Sequence, residues 1–437
     1  MPGAYGAISP IVTANLLFQL GNGLLTTLIG LRLDAEGYSP QVAGLVFSSY
    51  YAGLLLGTVM SRDLIFRVGH IRSFAVFAAI SAATILAQPL WVETIFWSLL
   101  RAAAGFSIAA LFLIMESWLN MSATNESRGR IFSIYMVSNY LAIAAGQLLL
   151  NLYGAGGFET FSIAAMLVTL ALVPVSVTRR AAPAQERRSG LRFRDLYRIS
   201  PVGIVGSLVA GALTGPVYGL LPIFARQVGL DVGEISVLMM AVLFGGLVFA
   251  WPIGRYSDRV DRRRVLAIAC ALVVVICVLI AVTTASSLAA LLVQGALLGG
   301  FIFAVYPICV AHTNDFLTVD DAVAASSGLL LAFGIGAMIG PGFASIWMDL
   351  GGPYALFLYF AVWSAGLVVF VLHRQRRRAQ VEQEEKTVFV PIAATTPAAL
   401  ELDPWTDAAE SSAREAEEAE ANADAGTETE PESVPSR

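Results

Sequence analysis

The chain has 437 residues, is 57% hydrophobic and only 14% charged, and carries a formal net charge of −5. A water-soluble protein this apolar would expose patches that drive aggregation, so a chain of ordinary soluble domains is excluded. The charge is also uneven: residues 379–437 hold fifteen acids against three bases, which leaves the remainder net positive.

Nearly uncharged stretches recur from residue 9 to 373, each long enough to cross a hydrocarbon core of ~30 Å as a helix of roughly 20 residues. In chain order they fall near 9–31, 41–61, 71–90, 94–118, 131–153, 157–178, 202–226, 234–254, 264–283, 288–311, 323–348 and 352–373. Lipid offers open backbone groups no partner, and the short alternating segments of a membrane β-barrel are absent, so helices are expected. The predicted class is an all-α integral membrane protein with twelve transmembrane helices. The amino-terminal stretch has no basic region and no cleavage site, so the first span reads as an anchor.

Polar groups at membrane depth are costly and therefore informative. The first span places Asn15, Gln19, Asn22 and Thr26 on one helical face. Such a face either hydrogen-bonds a neighbouring helix or walls a cavity. The fourth span carries Arg101 about 10 Å below the external surface and Glu116 near its other end, too far apart to pair. No carboxylate in the sequence shares the depth of Arg101. Asn139 and Gln147 lie in the fifth span, Ser207, Thr214 and Tyr218 in the seventh, and Gln294 and Tyr306 in the tenth. His312 closes the tenth span beside Asn314 and Asp315, and titrates near neutral pH in its free form. The three cysteines lie in predicted spans as apolar filler, with no disulfide framework or metal spacing.

The arginines set the orientation. With the amino terminus inside, the cytoplasmic loops and the start of the tail hold 21 basic residues, while the external loops hold Arg32 and Arg226. This bias predicts both termini in the cytoplasm. The segment 179–200 carries seven arginines against two acids and divides the spans six and six. It reads as a solvated linker able to touch anionic membrane lipid. The halves also repeat: one shift superposes Gly105 on Gly299, Asn120 on Asn314 and Gly146 on Gly340. Beyond 373 the composition is that of a disordered acidic tail.

Between the eighth and ninth spans, "GRYSDRVDRRR" (254–264) packs five arginines and two aspartates. Gly254, Asp258, Arg259, Arg262 and Arg263 there resemble the loop signature G-x-x-x-D-R-x-G-R-R of the major facilitator superfamily, with Asp261 at its second glycine. "RAAAGFSIAA" (101–110) is similar to that family's fourth-helix pattern, and Gly336-x-x-x-Gly340-Pro341 to its antiporter glycine-proline motif. "MESWLNMSATNESRGR" resembles the YcaD-like bacterial branch. The first-half loop keeps Gly57, Arg67, Gly69 and Arg72 but puts Ser61 or Phe66 where an aspartate is expected.

The resemblance implies two pseudo-symmetric six-helix halves, 1–178 and 201–373, joined by the linker 179–200 and followed by a cytoplasmic tail, 374–437. It implies a substrate cavity lined by the polar residues above, with Arg101. It implies a cytoplasmic gate of Gly57, Arg67, Gly69, Arg72 and Glu116 in the first half, with Glu116 latched to Arg67 or Arg72. Gly254, Asp258, Arg259, Arg262 and Arg263 form the gate of the second. Mixed charges at a helix end suit a latch that opens and re-forms. Arg101, Glu116 and His312 are the candidates for proton coupling.

The expected function is a secondary transporter moving a small organic solute, anionic or zwitterionic, by alternating access in the bacterial inner membrane, with proton-linked export as one form. No nucleotide-binding P-loop, cofactor or metal site is expected, nor any nucleic-acid partner, and the unit is a monomer. A membrane enzyme is disfavoured because no nucleophile–base set occurs in the spans. The alternative is a non-transporting receptor or scaffold whose acidic tail binds a partner.

Overall fold

Among the described residues of the computed structural model, twelve helices are long and apolar enough to cross a membrane. The structure describes residues 2–123, 127–177, 193–283, 287–317, 319–376 and 389; most of the linker, and of the tail with its expected disorder, lies outside these. The first half comprises α1 (Pro2–Ala35), α2 (Pro40–Val68), α3 (His70–Ala87), α4 (Thr94–Ser122), α5 (Arg128–Leu148) and α6 (Glu159–Leu170). The second comprises α7 (Pro201–Gly219), α8 (Val232–Arg259), α9 (Arg262–Thr283), α10 (Leu288–Asn314), α11 (Val319–Gly351) and α12 (Ala355–Gln375).

Two expected spans are broken. The sixth passes at Ala171 into Leu172–Ser176, and the seventh stops at Gly219 before Leu221–Gln227. In each the second piece contains a proline, Pro174 or Pro222, whose missing N–H interrupts the helical ladder. Conversely, the charged loop after the eighth span is mostly helix. α8 runs through Arg259, and α9 starts at Arg262. Asp261 makes this sharp turn possible, because its carboxylate accepts the backbone N–H of Arg263 at 2.9 Å and so caps α9.

The halves repeat in three dimensions. α2 packs on α4 as α8 packs on α10, α1 on α5 as α7 on α11, and α3 on α6 as α9 on α12. The close approaches correspond as well. A side chain at Gly53 or Gly105 would strike the carbonyls of Ala102 and Tyr50; one at Gly245 or Gly299 would strike those of Ala296 and Val242. Small residues thus let both helix pairs meet backbone to backbone. The halves meet through α2 against α11 and α5 against α8, again a symmetric pair. At the end away from the arginine-rich turns they are pinned by Gln41, whose amide donates to Asp349 at 2.6 Å, and by Gly30 against the Gly219 carbonyl.

Candidate functional site

A cavity of about 140 Å³ lies between the halves. From the first half, α1 contributes Gln19, Asn22 and Thr26, α2 contributes Tyr50 and Tyr51, α4 Phe112, and α5 Asn139, Tyr140 and Ile143. From the second, α7 contributes Thr214 and Tyr218, α10 Ile302, Phe303, Tyr306 and Pro307, and α11 Phe333. Every one of these side chains is uncharged. The aromatic rings pack on each other, Tyr50 on Tyr51 at 5.2 Å, Tyr218 on Phe303 at 5.6 Å and Tyr306 on Phe333 at 5.0 Å. Gln19 donates to Asn139 across α1 and α5 and accepts from Asn22 Nδ2 at 3.3 Å. The Asn22 carbonyl oxygen reaches no donor among the described residues.

Seven expected residues therefore meet in one cavity: Gln19, Asn22, Thr26, Asn139, Thr214, Tyr218 and Tyr306. Others are not on its wall. Asn15 donates to Ser138 at 3.3 Å, Gln147 takes a hydrogen bond from Thr27 and gives one to the Gly23 carbonyl at 2.8 Å, and Gln294 donates to Thr283 at 2.7 Å. These polar groups cement helix pairs instead. Ser207 is buried away from the cavity. The tyrosines and phenylalanines of α2, α4, α5 and α11 were not expected, because an aromatic residue in an apolar span carries no sign of which way it faces.

Arg101 is 1% exposed and sits behind this wall. Its guanidinium lies 4.3 Å from the centre of the Tyr50 ring and 6.0 Å from that of Phe47. None of its three guanidinium nitrogens reaches an acceptor among the described residues. Gln19, an expected compensating amide, is engaged with Asn139 and Asn22. Among the described residues the charge meets ring faces only, and one of those rings lines the cavity.

At the arginine-rich end, Arg262 is the hub of the α8–α9 turn. Its Nη1 lies 3.1 Å from Asp258 Oδ1 and donates to Ser257 Oγ at 3.2 Å, while its Nε donates to Asp315 at 2.8 Å. Asp315 follows α10, so the arginine ties three helix ends together. Arg263 pairs with Asp261 at 2.9 Å, Gly254 is buried and Arg259 is exposed. Burial works against ionisation of Asp261, but the hydrogen bonds from Arg263 and the charges of Arg263 and His312 hold its carboxyl below the ordinary value. His312 packs edge-on against Phe316 at 5.1 Å, beside this network and away from the cavity. Asp315 was the missed member; only its place next to His312 hinted at it.

The first-half turn is built differently. Gly69 takes φ +89°, a conformation open to glycine, and Gly57 lets α2 lie against the Phe106 carbonyl. Ser61 is buried, Asp63 and Phe66 are exposed, and so are Arg67 and Arg72. Glu116 is buried and accepts from the Tyr135 hydroxyl at 3.0 Å. The structure does not bring Glu116 onto Arg67 or Arg72, because both arginines project from the helix ends into solvent.

Comparison with known proteins fits this geometry. Residues 202–412 match the profile of the Major Facilitator Superfamily. An uncharacterised MFS-type transporter, YcaD of Escherichia fergusonii, is 29% identical over 368 residues, 84% of this chain and 95% of its own. One from an Enterobacter species is 30% identical over 348 residues, 79% of this chain and 90% of its own. Among solved structures, the nucleoside transporter NupG superposes with a TM-score of 0.73 at 14% identity, covering 84% of this chain and 98% of its own. A bacterial homologue of the human lysosomal transporter Spinster, inward-facing and occupied, gives 0.68 at 14% identity over 89% and 99%. At that identity these two report the fold alone.

Proposed function

The chain belongs to the major facilitator superfamily, and from that premise we propose that it carries a small organic solute across the bacterial inner membrane by alternating access. The observation that carries the proposal is a cavity walled by both halves, pinned shut at one end and bordered at the other by ion pairs at helix ends. Residues 1–178 and 201–373 are the rocking bodies, the arginine-rich end faces the cytoplasm with both termini, and Arg262 with Asp258 and Asp315 is the cytoplasmic latch. A charge pair at the membrane edge is re-hydrated when it opens, so breaking it is affordable during each cycle.

The solute is anionic or zwitterionic. The guanidinium of Arg101 is uncompensated by the described residues, and the Tyr50 ring it lies on is part of the wall. A negative group against that wall lowers the cost of the buried charge. The unused carbonyl of Asn22 suits a donor on the same solute, such as an ammonium. Proton coupling, through Arg101, Glu116 or His312, is a separate element of the proposal.

Reconstituted protein tested for uptake and efflux against a metabolite and drug library, with and without a pH gradient, decides between the readings. Movement of an anionic or zwitterionic solute is the expected result, and dependence on the gradient identifies coupling. A receptor or scaffold on this fold moves nothing in either direction.

A further inference from the structure

Beyond Arg376 the structure describes Phe389, and places it inside the protein. Phe389 is 9% exposed and joins the main apolar core. Its backbone N–H donates to Asp258 Oδ1 at 2.9 Å, the same oxygen that pairs with Arg262. Its ring covers Gly254, so closely that a side chain at that position would collide with the ring carbons. Gly254 and Asp258 are one helical turn apart and present the bare patch and the acceptor on one face of α8. Seat and hydrogen bond thus come from two gate residues at once.

The sequence supports an occupant of this kind. Phe389 stands in Thr387-Val388-Phe389-Val390-Pro391, an apolar island in a tail of fifteen acids and three bases. Arg255, Arg259 and Arg264 are exposed around the seat, so the tail and the turn have opposite charge. The ring supplies apolar contact, and the N–H supplies a charge-assisted hydrogen bond that exposed carboxylates otherwise give to water.

We propose that Phe389 is a built-in ligand of the α8–α9 turn and acts as a brake on the latch. With Phe389 seated, Asp258 is held toward Arg262 and, through it, toward Asp315. Opening of the latch then requires Phe389 to leave, so the seated Phe389 favours the latched state and slows exchange between states. The docking stands on the contacts themselves; the brake rests on the transporter reading.

Full-length protein in lipid nanodiscs tests both parts. With a photo-crosslinking benzoylphenylalanine in place of Phe389, crosslinks should map to residues 251–258 of the same chain. In hydrogen exchange, Phe389→Ala should speed exchange of peptides covering 386–392 and 254–262 about tenfold, as expected for loss of one anchored hydrogen bond. Phe389→Leu, which keeps an apolar anchor, should lie nearer wild type. Crosslinks elsewhere, or wild-type exchange in Phe389→Ala, overturn the docking. In proteoliposomes Phe389→Ala should move solute a few-fold faster; faster exchange with unchanged flux overturns the brake and leaves the transporter reading intact. Absence of flux in wild type as well overturns the transporter reading, and the brake with it, while leaving the exchange and crosslinking results to decide the docking.

Discussion

Two arginines are equally buried, Arg101 and Arg262, each 1% exposed, and their surroundings differ completely. Arg262 is shared between Asp258, Asp315 and Ser257 at the end of the bundle. Arg101 lies among helices near the opposite end on the faces of Tyr50 and Phe47. The protein consumes the first charge to hold itself together. None of the described residues offers the second an acceptor, and one of the rings it lies on lines the cavity. Burial alone, then, does not distinguish an arginine paired with carboxylates from one held against ring faces; the surroundings do.

The largest effect should follow from breaking the first arrangement. Arg262→Ala takes its arginine partner from Asp315, whose side chain is 3% exposed. Removing one partner of a buried pair costs about 3–5 kcal/mol. The purified variant should show a clearly lower Tm and poor recovery in detergent. An unchanged Tm means that Arg262 is not the hub.

Arg101→Gln should do the reverse: stability kept and flux lost. An unpaired guanidinium at membrane depth costs at least a few kcal/mol, so its replacement by a neutral amide should leave the Tm equal or higher. Flux should disappear, and a competing anionic or zwitterionic solute should no longer protect the cavity from labelling. Arg101→Lys should keep part of the activity, since it preserves charge without the planar fork suited to carboxylates. Wild-type affinity in the glutamine variant, or aggregation of it, speaks for a purely structural arginine.

A smaller change separates the latch from the scaffold. Asp258 is 31% exposed and only one of the partners of Arg262. Asp258→Asn retains a hydrogen-bond acceptor but loses the charge, which should slow flux about tenfold while abundance and insertion stay normal. Accessibility labelling should report an altered balance of inward- and outward-open forms. Normal flux would remove Asp258 from the switching machinery.

The legibility of these features in the sequence followed the strength of the physical signal. Spans were readable because each must supply about twenty apolar residues, and the repeat because Gly105 and Gly299 serve the same backbone contact. Gln19 and Asn22 stood out because amides are rare at that depth. Their neighbours Asn15 and Gln147 gave the same signal yet serve helix contacts, since polarity marks a buried face without saying whether a helix or a cavity lies opposite. Tyr50, Tyr51 and Tyr140 were invisible for the opposite reason: they blend with the apolar background. The seat of Phe389 is set by a contact between residues 131 positions apart, which local pattern does not encode.

The smallest change tests whether the latch stands without the tail. Truncation after Arg378 removes Phe389 and all fifteen acids of residues 379–437 but keeps the arginine cluster that follows α12. On the proposed orientation this cluster is what holds the helix end inside, so insertion should be unaffected. Asp258 loses one donor, the Phe389 amide, and keeps Arg262; Arg262 keeps Asp315. Both arms of the latch therefore survive, and Tm should change far less than in Arg262→Ala. Flux should be a few-fold faster than wild type, as in Phe389→Ala, because the brake is removed with the tail. A truncated protein that inserts, remains monodisperse and moves nothing would show that Asp258 and Arg262 do not form a working latch by themselves, and that the tail completes the gate.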